Sequence, residues 1–241
     1  MHTILKLIVI ILVFVFFNSC KKTEFTDMPI AALNVINATI DAGNIKLNTN
    51  ERDSVKINNY KIFSIVPHKN ILLYATNNPA VPFYNGNPGT ENGGMYSIYI
   101  AGQAPDIESI FVKENAIPMY TDSIIGVAIV NLSPNSSLLS VNIASTPTTN
   151  LFSNINYKQI TDIQTIPLPG TVSTTDVTFE VRDQDGAVLA FYTLPDADNF
   201  LSPVFSIPRQ RFKNIKLIIK GLVGTTEGPN AFGIFPAPFT Y

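Results

Sequence analysis

Beyond residue 29 the chain alternates between short apolar runs and polar, turn-rich stretches. Runs at Ala32–Ile36, Lys61–Val66, Asn70–Ala75, Met95–Ile100, Ile107–Val112 and Ile124–Val130 are followed by Leu138–Ile143, Thr161–Ile166, Asp176–Arg182, Ala187–Tyr192 and Asn214–Lys220. They recur about every ten residues, the spacing of strands in a sandwich or barrel. In Val177-Thr178-Phe179-Glu180-Val181-Arg182 apolar and polar residues alternate strictly, so one face is buried and the other wet. Gln184-Asp185-Gly186 then turns the chain, and Ala187–Tyr192 returns as the second arm of a hairpin. No stretch after residue 29 keeps a helical period for three turns. The pattern predicts an all-β protein of antiparallel, immunoglobulin-like β-sandwich domains.

A weak internal repeat suggests that there are two of them. Leu33-Asn34-Val35-Ile36-Asn37-Ala38 resembles Val127-Ala128-Ile129-Val130-Asn131-Leu132, and Ile57-Asn58-Asn59-Tyr60-Lys61 is echoed by Ile155-Asn156-Tyr157-Lys158. Each half then passes a proline (Pro67, Pro167), an alternating strand and an apolar strand ending in glycine (Gly102, Gly221). The expected division is 30–120 and 121–241, with the junction near Pro118–Ser123. A single larger sandwich built across both halves is the alternative.

The N-terminal pattern is different. Leu7–Phe17 is an unbroken apolar run preceded by one cation, Lys6. As a helix it would span about 16 Å, whereas a bilayer core needs about 30 Å. That suits a secretory signal over residues 1–19. Ser19-Cys20-Lys21-Lys22 resembles the lipobox of Bacteroidota lipoproteins, although Phe17 and Asn18 depart from the usual residues upstream. The resemblance implies cleavage before Cys20 and acylation of that cysteine, with residues 20–29 as a tether. Each buried methylene contributes about 0.8 kcal/mol, so several acyl chains on Cys20 would hold the protein to a membrane essentially permanently. An uncleaved signal anchor, or a cleaved signal with an ordinary thiol, is the alternative. Cys20 is the only cysteine, which excludes a disulfide within the chain.

Composition narrows the partners. The formal net charge is −2 and only 14% of residues are charged, against about 25% in an average soluble domain. There is no basic stripe for nucleic acid and no acidic tail.

Candidate chemistry is sparse. His68, the one histidine after the signal, follows Pro67 in an expected turn, and no Gly-x-Ser-x-Gly elbow accompanies it. One histidine and a lipidated cysteine do not make a zinc site. Asp183, Asp185 and Gly186 match part of a calcium loop but lack its remaining ligands, and Asp-Gly is ordinary turn chemistry. Paired carboxylates across a cleft would be needed for glycoside hydrolysis, and no phosphate-binding loop follows a strand. No enzyme activity and no cofactor are expected. The best candidate for ligand binding is Tyr84 with Asn85 and Asn87, read as a polar loop that offers a ring and amides to a glycan; the competing reading is a tyrosine closing a loop onto the sandwich edge. Phe232, Phe235, Phe239 and Tyr241 are expected to pack on the second domain. Asp53-Ser54-Val55 and Asp122-Ser123-Ile124 are similar to Bacteroidota O-glycosylation acceptors, which would require exposed Ser54 and Ser123.

Three motifs in order, Tyr96-Ser97-Ile98-Tyr99-Ile100-Ala101-Gly102, Ile129-Val130-Asn131-Leu132-Ser133-Pro134 and Phe152-Ser153-Asn154-Ile155-Asn156-Tyr157-Lys158, resemble a family of Bacteroidota surface lipoproteins carrying the DUF4397 domain. The first half departs most, with Ala38-Thr39-Ile40 after Asn37 in place of Leu-Ser-Pro. The resemblance implies β-sandwich domains at the cell envelope and no catalytic residues. The expectation is a non-enzymatic outer-membrane lipoprotein used for binding or adhesion at the cell surface. Two alternatives are an accessory glycan-binding lipoprotein of a nutrient-uptake system, and a structural envelope protein that binds other proteins or peptidoglycan.

Overall fold

The computed structural model describes residues 29–115, 117–168, 177–194 and 212–239. These residues form sixteen strands and no helix. The first eight are β1 (Ala31–Asn37), β2 (Ile45–Leu47), β3 (Asn50–Val55), β4 (Asn59–Ile65), β5 (Ile71–Ala75), β6 (Asn78–Gly86), β7 (Met95–Gln103) and β8 (Asp106–Lys113). The second eight are β9 (Ile124–Asn131), β10 (Leu139–Ile143), β11 (Asn150–Ile155), β12 (Gln164–Pro167), β13 (Val177–Arg182), β14 (Val188–Leu194), β15 (Asn214–Lys220) and β16 (Gly233–Pro238).

Four four-stranded sheets result: β4-β1-β7-β8 and β3-β2-β5-β6 from the first set, β12-β9-β15-β16 and β11-β10-β13-β14 from the second. Strand for strand, the second set repeats the first. The all-β sandwich architecture is the one expected, and β13 and β14 form the expected hairpin. The strand order differs from the immunoglobulin arrangement, in which the first strand pairs with the second and the sheets hold seven strands. Here the first strand lies between the fourth and the seventh. Nor is every pair antiparallel: β1–β7 and β9–β15 are parallel.

The corners of the two sandwiches are built alike. Asn37 ends β1, and its buried amide donates to the Val55 carbonyl at 3.1 Å while its oxygen accepts from the Thr39 amide at 3.1 Å. Asn131 ends β9 and makes the same two bonds, to the Ile155 carbonyl and from the Ser133 amide. These bonds satisfy backbone groups where the chain leaves one sheet for the other. They also correct the repeat read from the sequence. The backbone amides of Asn58 and Lys158 both return to the corner asparagine's carbonyl, and both residues have positive φ. Val55 therefore corresponds to Ile155 and Asn58 to Lys158, three residues from the alignment that pairs Lys61 with Lys158. Gly102 and Gly221 are equivalent too, with φ of 96° and 78°. A Cβ on either would lie 2.3 Å or 2.1 Å from a backbone carbonyl oxygen, so the matched glycines are required by the fold.

Three apolar cores form among the described residues. One lies inside each sandwich, around Leu33, Leu73 and Ile98 in the first and Ile129, Phe179 and Leu217 in the second. The third joins Ile36, Ala38, Tyr99 and Ala101 of the first set to Val130, Leu132, Ile218 and Ala237 of the second. It lies between the sheets β4-β1-β7-β8 and β12-β9-β15-β16, so the order of layers is sheet, core, sheet, core, sheet, core, sheet. The central strands of those two sheets are consequently buried on both faces, as in β9 and β15. Sheets covered on both sides carry near-continuous apolar runs, whereas half-exposed ones alternate, as β5 does.

Equivalent positions meet in the third core, because Ile36 pairs with Tyr99 as Val130 pairs with Ile218. The same patch from each half is thus apposed, as in an isologous dimer. Lys216 and Ser97 are equivalent as well, opposite Ala128 and Asn34, and they touch across the junction at 3.2 Å. The buried Lys216 ammonium also donates to Glu114 and lies 4.4 Å from the Phe239 ring centroid. Asn34 adds a bond to the Pro238 carbonyl at 3.1 Å. Of the C-terminal aromatics, Phe232 packs on the second core and Phe235 on the third, while Phe239 is buried; Tyr241 lies outside the described residues.

Candidate functional site: a cleft at the loop end

The sequence-derived candidates do not converge. Cys20 lies outside the described residues. Tyr84-Asn85-Gly86 is not a loop but the end of β6. The register of β6 on β5 shifts just before Tyr84, and both Phe83 and Tyr84 pack against the first core. The Tyr84 ring accordingly turns inward onto Phe111, with ring centroids 6.2 Å apart, and burial pushes its hydroxyl pKa up. Asn85 points outward and accepts from the Asn70 amide at 2.8 Å. Asn87 donates to the His68 carbonyl and accepts from the Gly89 amide. The ring therefore packs on the first core while the two amides are exposed, and the expected polar loop is a strand end. Ser54 sits in β3, half-buried. Ser123 is also half-buried, and its hydroxyl donates to the Leu168 carbonyl at 2.9 Å. Neither is fully exposed, as glycosylation would require. His68 is exposed in a turn with φ of 58°. The Asp183 carboxylate accepts from the Asp185 and Ala187 amides, which is the turn role. Among the described residues no group of three His, Cys, Asp or Glu side chains could hold a metal ion.

A different place draws residues together. β1 and β7 are parallel, as are β9 and β15. The contacts across the third core align both sandwiches the same way up. The corners after Asn37 and Asn131, the β7–β8 hairpin tip and the loop after β15 therefore share one end. Ile30, where the chain enters β1, is at the other end, bonded to Asn92 and Gly93. The nine residues of β7 separate the two ends by about 26 Å at ~3.3 Å per residue.

At the loop end a cleft of about 650 Å³ opens between the sandwiches. Gly102, Gln103, Asp106, Ile107 and Glu108 line one wall, and Pro134, Asn135, Tyr157 and Leu222 the other. Glu108 clasps the walls: it accepts from the Tyr157 hydroxyl and from Lys158, each at 2.8 Å. The Lys158 bond, with the Tyr157 bond, holds the Glu108 carboxyl below its usual pKa. Burial, reinforced by the Glu108 bond, pushes the Tyr157 hydroxyl up, so it stays a donor. Asn135 is fully engaged with the Val223 backbone. Gln103 and Asp106, at the hairpin tip, are exposed and carry no side-chain bond.

Sequence reasoning named Gly102, Pro134 and Tyr157 only as parts of motifs, and missed Gln103 and Asp106. The available signal was positional. Each of those motifs closes a strand or corner, and strands running the same way deliver such ends to one place. No family model matches the chain, and no curated protein is significantly similar to it.

Proposed function

We propose that this protein is a lipid-anchored, non-enzymatic binding protein of the cell envelope, tethered through Cys20 to the outer membrane, with the loop end as its binding face. The observation that carries this reading is polarity. The chain enters the first sandwich at one end, and the cleft lies at the other. A tether at residues 20–29 would therefore direct the cleft away from the membrane. Because the third core fixes the two sandwiches against each other, the cleft has preformed walls, which lowers the ordering cost of binding. Its chemistry favours binding over turnover. A general acid at neutral pH needs a raised carboxyl pKa, and Glu108 is shifted the other way by Lys158 and Tyr157.

Protease shaving of intact cells tests this, with a periplasmic marker and Cys20→Ala alongside. Cleavage of the sandwiches while the marker survives, together with release of the Cys20→Ala chain from the membrane fraction, is the expected result. Protection until the outer membrane is breached would overturn surface binding and leave a periplasmic envelope partner. Turnover of any substrate, lost on a single carboxylate change, would overturn the non-enzymatic reading.

A further inference from the structure

The cleft's free groups point to a class of ligand. Its volume of about 650 Å³ falls within the range of small-molecule sites, which favour domain junctions. Tyr157 has committed its hydroxyl to Glu108, its ring packs against the third core, and Lys158 Nζ lies over that ring 5.5 Å from its centroid. The Glu108 charge is matched by Lys158. That leaves Asp106 as the uncompensated charge and Gln103 as the free amide. A carboxylate only accepts hydrogen bonds, while an amide both donates and accepts. Ile107 and Leu222 add apolar surface beside them.

A ligand that suits this set must donate to Asp106, exchange bonds with Gln103 and lay an apolar C–H face on Ile107 and Leu222. Neighbouring sugar hydroxyls donate and accept in that way, and a pyranose has such a face. An anionic ligand would meet Asp106 with like charge. We propose that the cleft binds a short, neutral saccharide, with Asp106 and Gln103 as its hydrogen-bonding pair and Ile107 and Leu222 as its apolar floor. The proposal rests on the reading of the loop end as the binding face.

Full-length protein in detergent, mixed with cellobiose, maltose, lactose and their sialylated or sulfated counterparts, would be followed by saturation-transfer NMR. Transfer to at least one neutral sugar and to none of the anionic ones is expected. Asp106→Asn and Gln103→Ala should each raise its Kd about tenfold, the effect of losing one good hydrogen bond to the ligand. Their thermal midpoints should not move, because neither side chain has a partner in the fold. Tyr84→Phe should bind as the unaltered protein does. Absence of transfer to every neutral sugar, or unchanged affinity in both cleft variants, would overturn the saccharide. If in that case Asp106→Arg also stopped crosslinking to an envelope protein on intact cells, the binding-face reading would survive without it.

Discussion

The two sandwiches share strand order, corner asparagines and matched glycines, yet they differ where they touch. At the equivalent position the first carries Ser97 and the second Lys216. A lysine in both would bury two ammonium groups against a single carboxylate. A serine in both would leave Glu114 buried without a counter-ion. One of each, with Glu114 from the first half, gives a single neutral pair buried in the junction. A duplicated scaffold has thus become asymmetric at the one place where symmetry would be most costly. Buried charge pairs add little net stability but are expensive to break, so the pair fixes which face meets which more than it strengthens the contact.

The most damaging way to break this comparison is to restore the symmetry. Ser97→Lys should destabilise the protein by ~4 kcal/mol or more, as a second buried, unpaired charge, and little folded protein should accumulate. Ser97→Ala should cost about 1 kcal/mol, the loss of one hydrogen bond. Lys216→Met, which strands Glu114, should cost ~3–5 kcal/mol by chemical denaturation. It should also split one unfolding transition into two, because the sandwiches would then be joined more weakly than each is held together. Adding Glu114→Leu to it should recover most of the loss.

The corner asparagines sharpen the comparison at a smaller scale. The Asn37 side chain makes four hydrogen bonds and that of Asn131 three. Alanine at either should cost about 2–3 kcal/mol through orphaned backbone groups, with the larger loss at Asn37. Gly102→Ala and Gly221→Ala should each cost about 1–3 kcal/mol, through a strained φ and a carbonyl clash; equal losses would support their equivalence.

The smallest effect concerns the clasp at the cleft. Glu108 has a lowered pKa in the folded state, from Lys158 first and Tyr157 second. Its contribution is therefore present above the unfolded value of about 4.5 and lost as pH falls through the folded one. The thermal midpoint should drop on acidification below that value, and Glu108→Gln should lose this part of the pH dependence. The pair is solvent-exposed, so the change should be slight.

Legibility in the sequence followed burial. β1, β5, β7, β9, β10, β13 and β15, all interior to their sheets, stand out as apolar or alternating runs. The strands without such runs are mainly edges: β3, which reads Asn-Glu-Arg-Asp-Ser-Val; β6, with Pro79 and Pro82; β11; and β16, with Pro236 and Pro238. An edge strand pairs on one side only, so it tolerates polar residues and proline. The interior β2 was missed because it has only three residues. Tyr84 was misread for the same reason as β6: proline and asparagine around it imitate a loop. The continuous apolar run in β9 is the sequence mark of a strand covered on both faces, since a strand wet on one face would alternate; in β15 Lys216 interrupts it. The cleft was less legible, because its walls come from segments up to 120 residues apart in the chain, from Gly102 to Leu222.

The third core also sets an order of events during folding. Every strand pair of the first sandwich lies within residues 31–113, so that sandwich can close while the rest of the chain is still being delivered. The far face of its β4-β1-β7-β8 sheet is then open to water, with Ile36, Ala38, Tyr99 and Ala101 uncovered until β9 and β15 arrive. A half-made molecule with such a face is prone to aggregate. The buried Glu114 is worse placed still, since its cation comes with one of the last strands. The folding chain must therefore be shielded through that interval, or complete its second half faster than two first halves can meet.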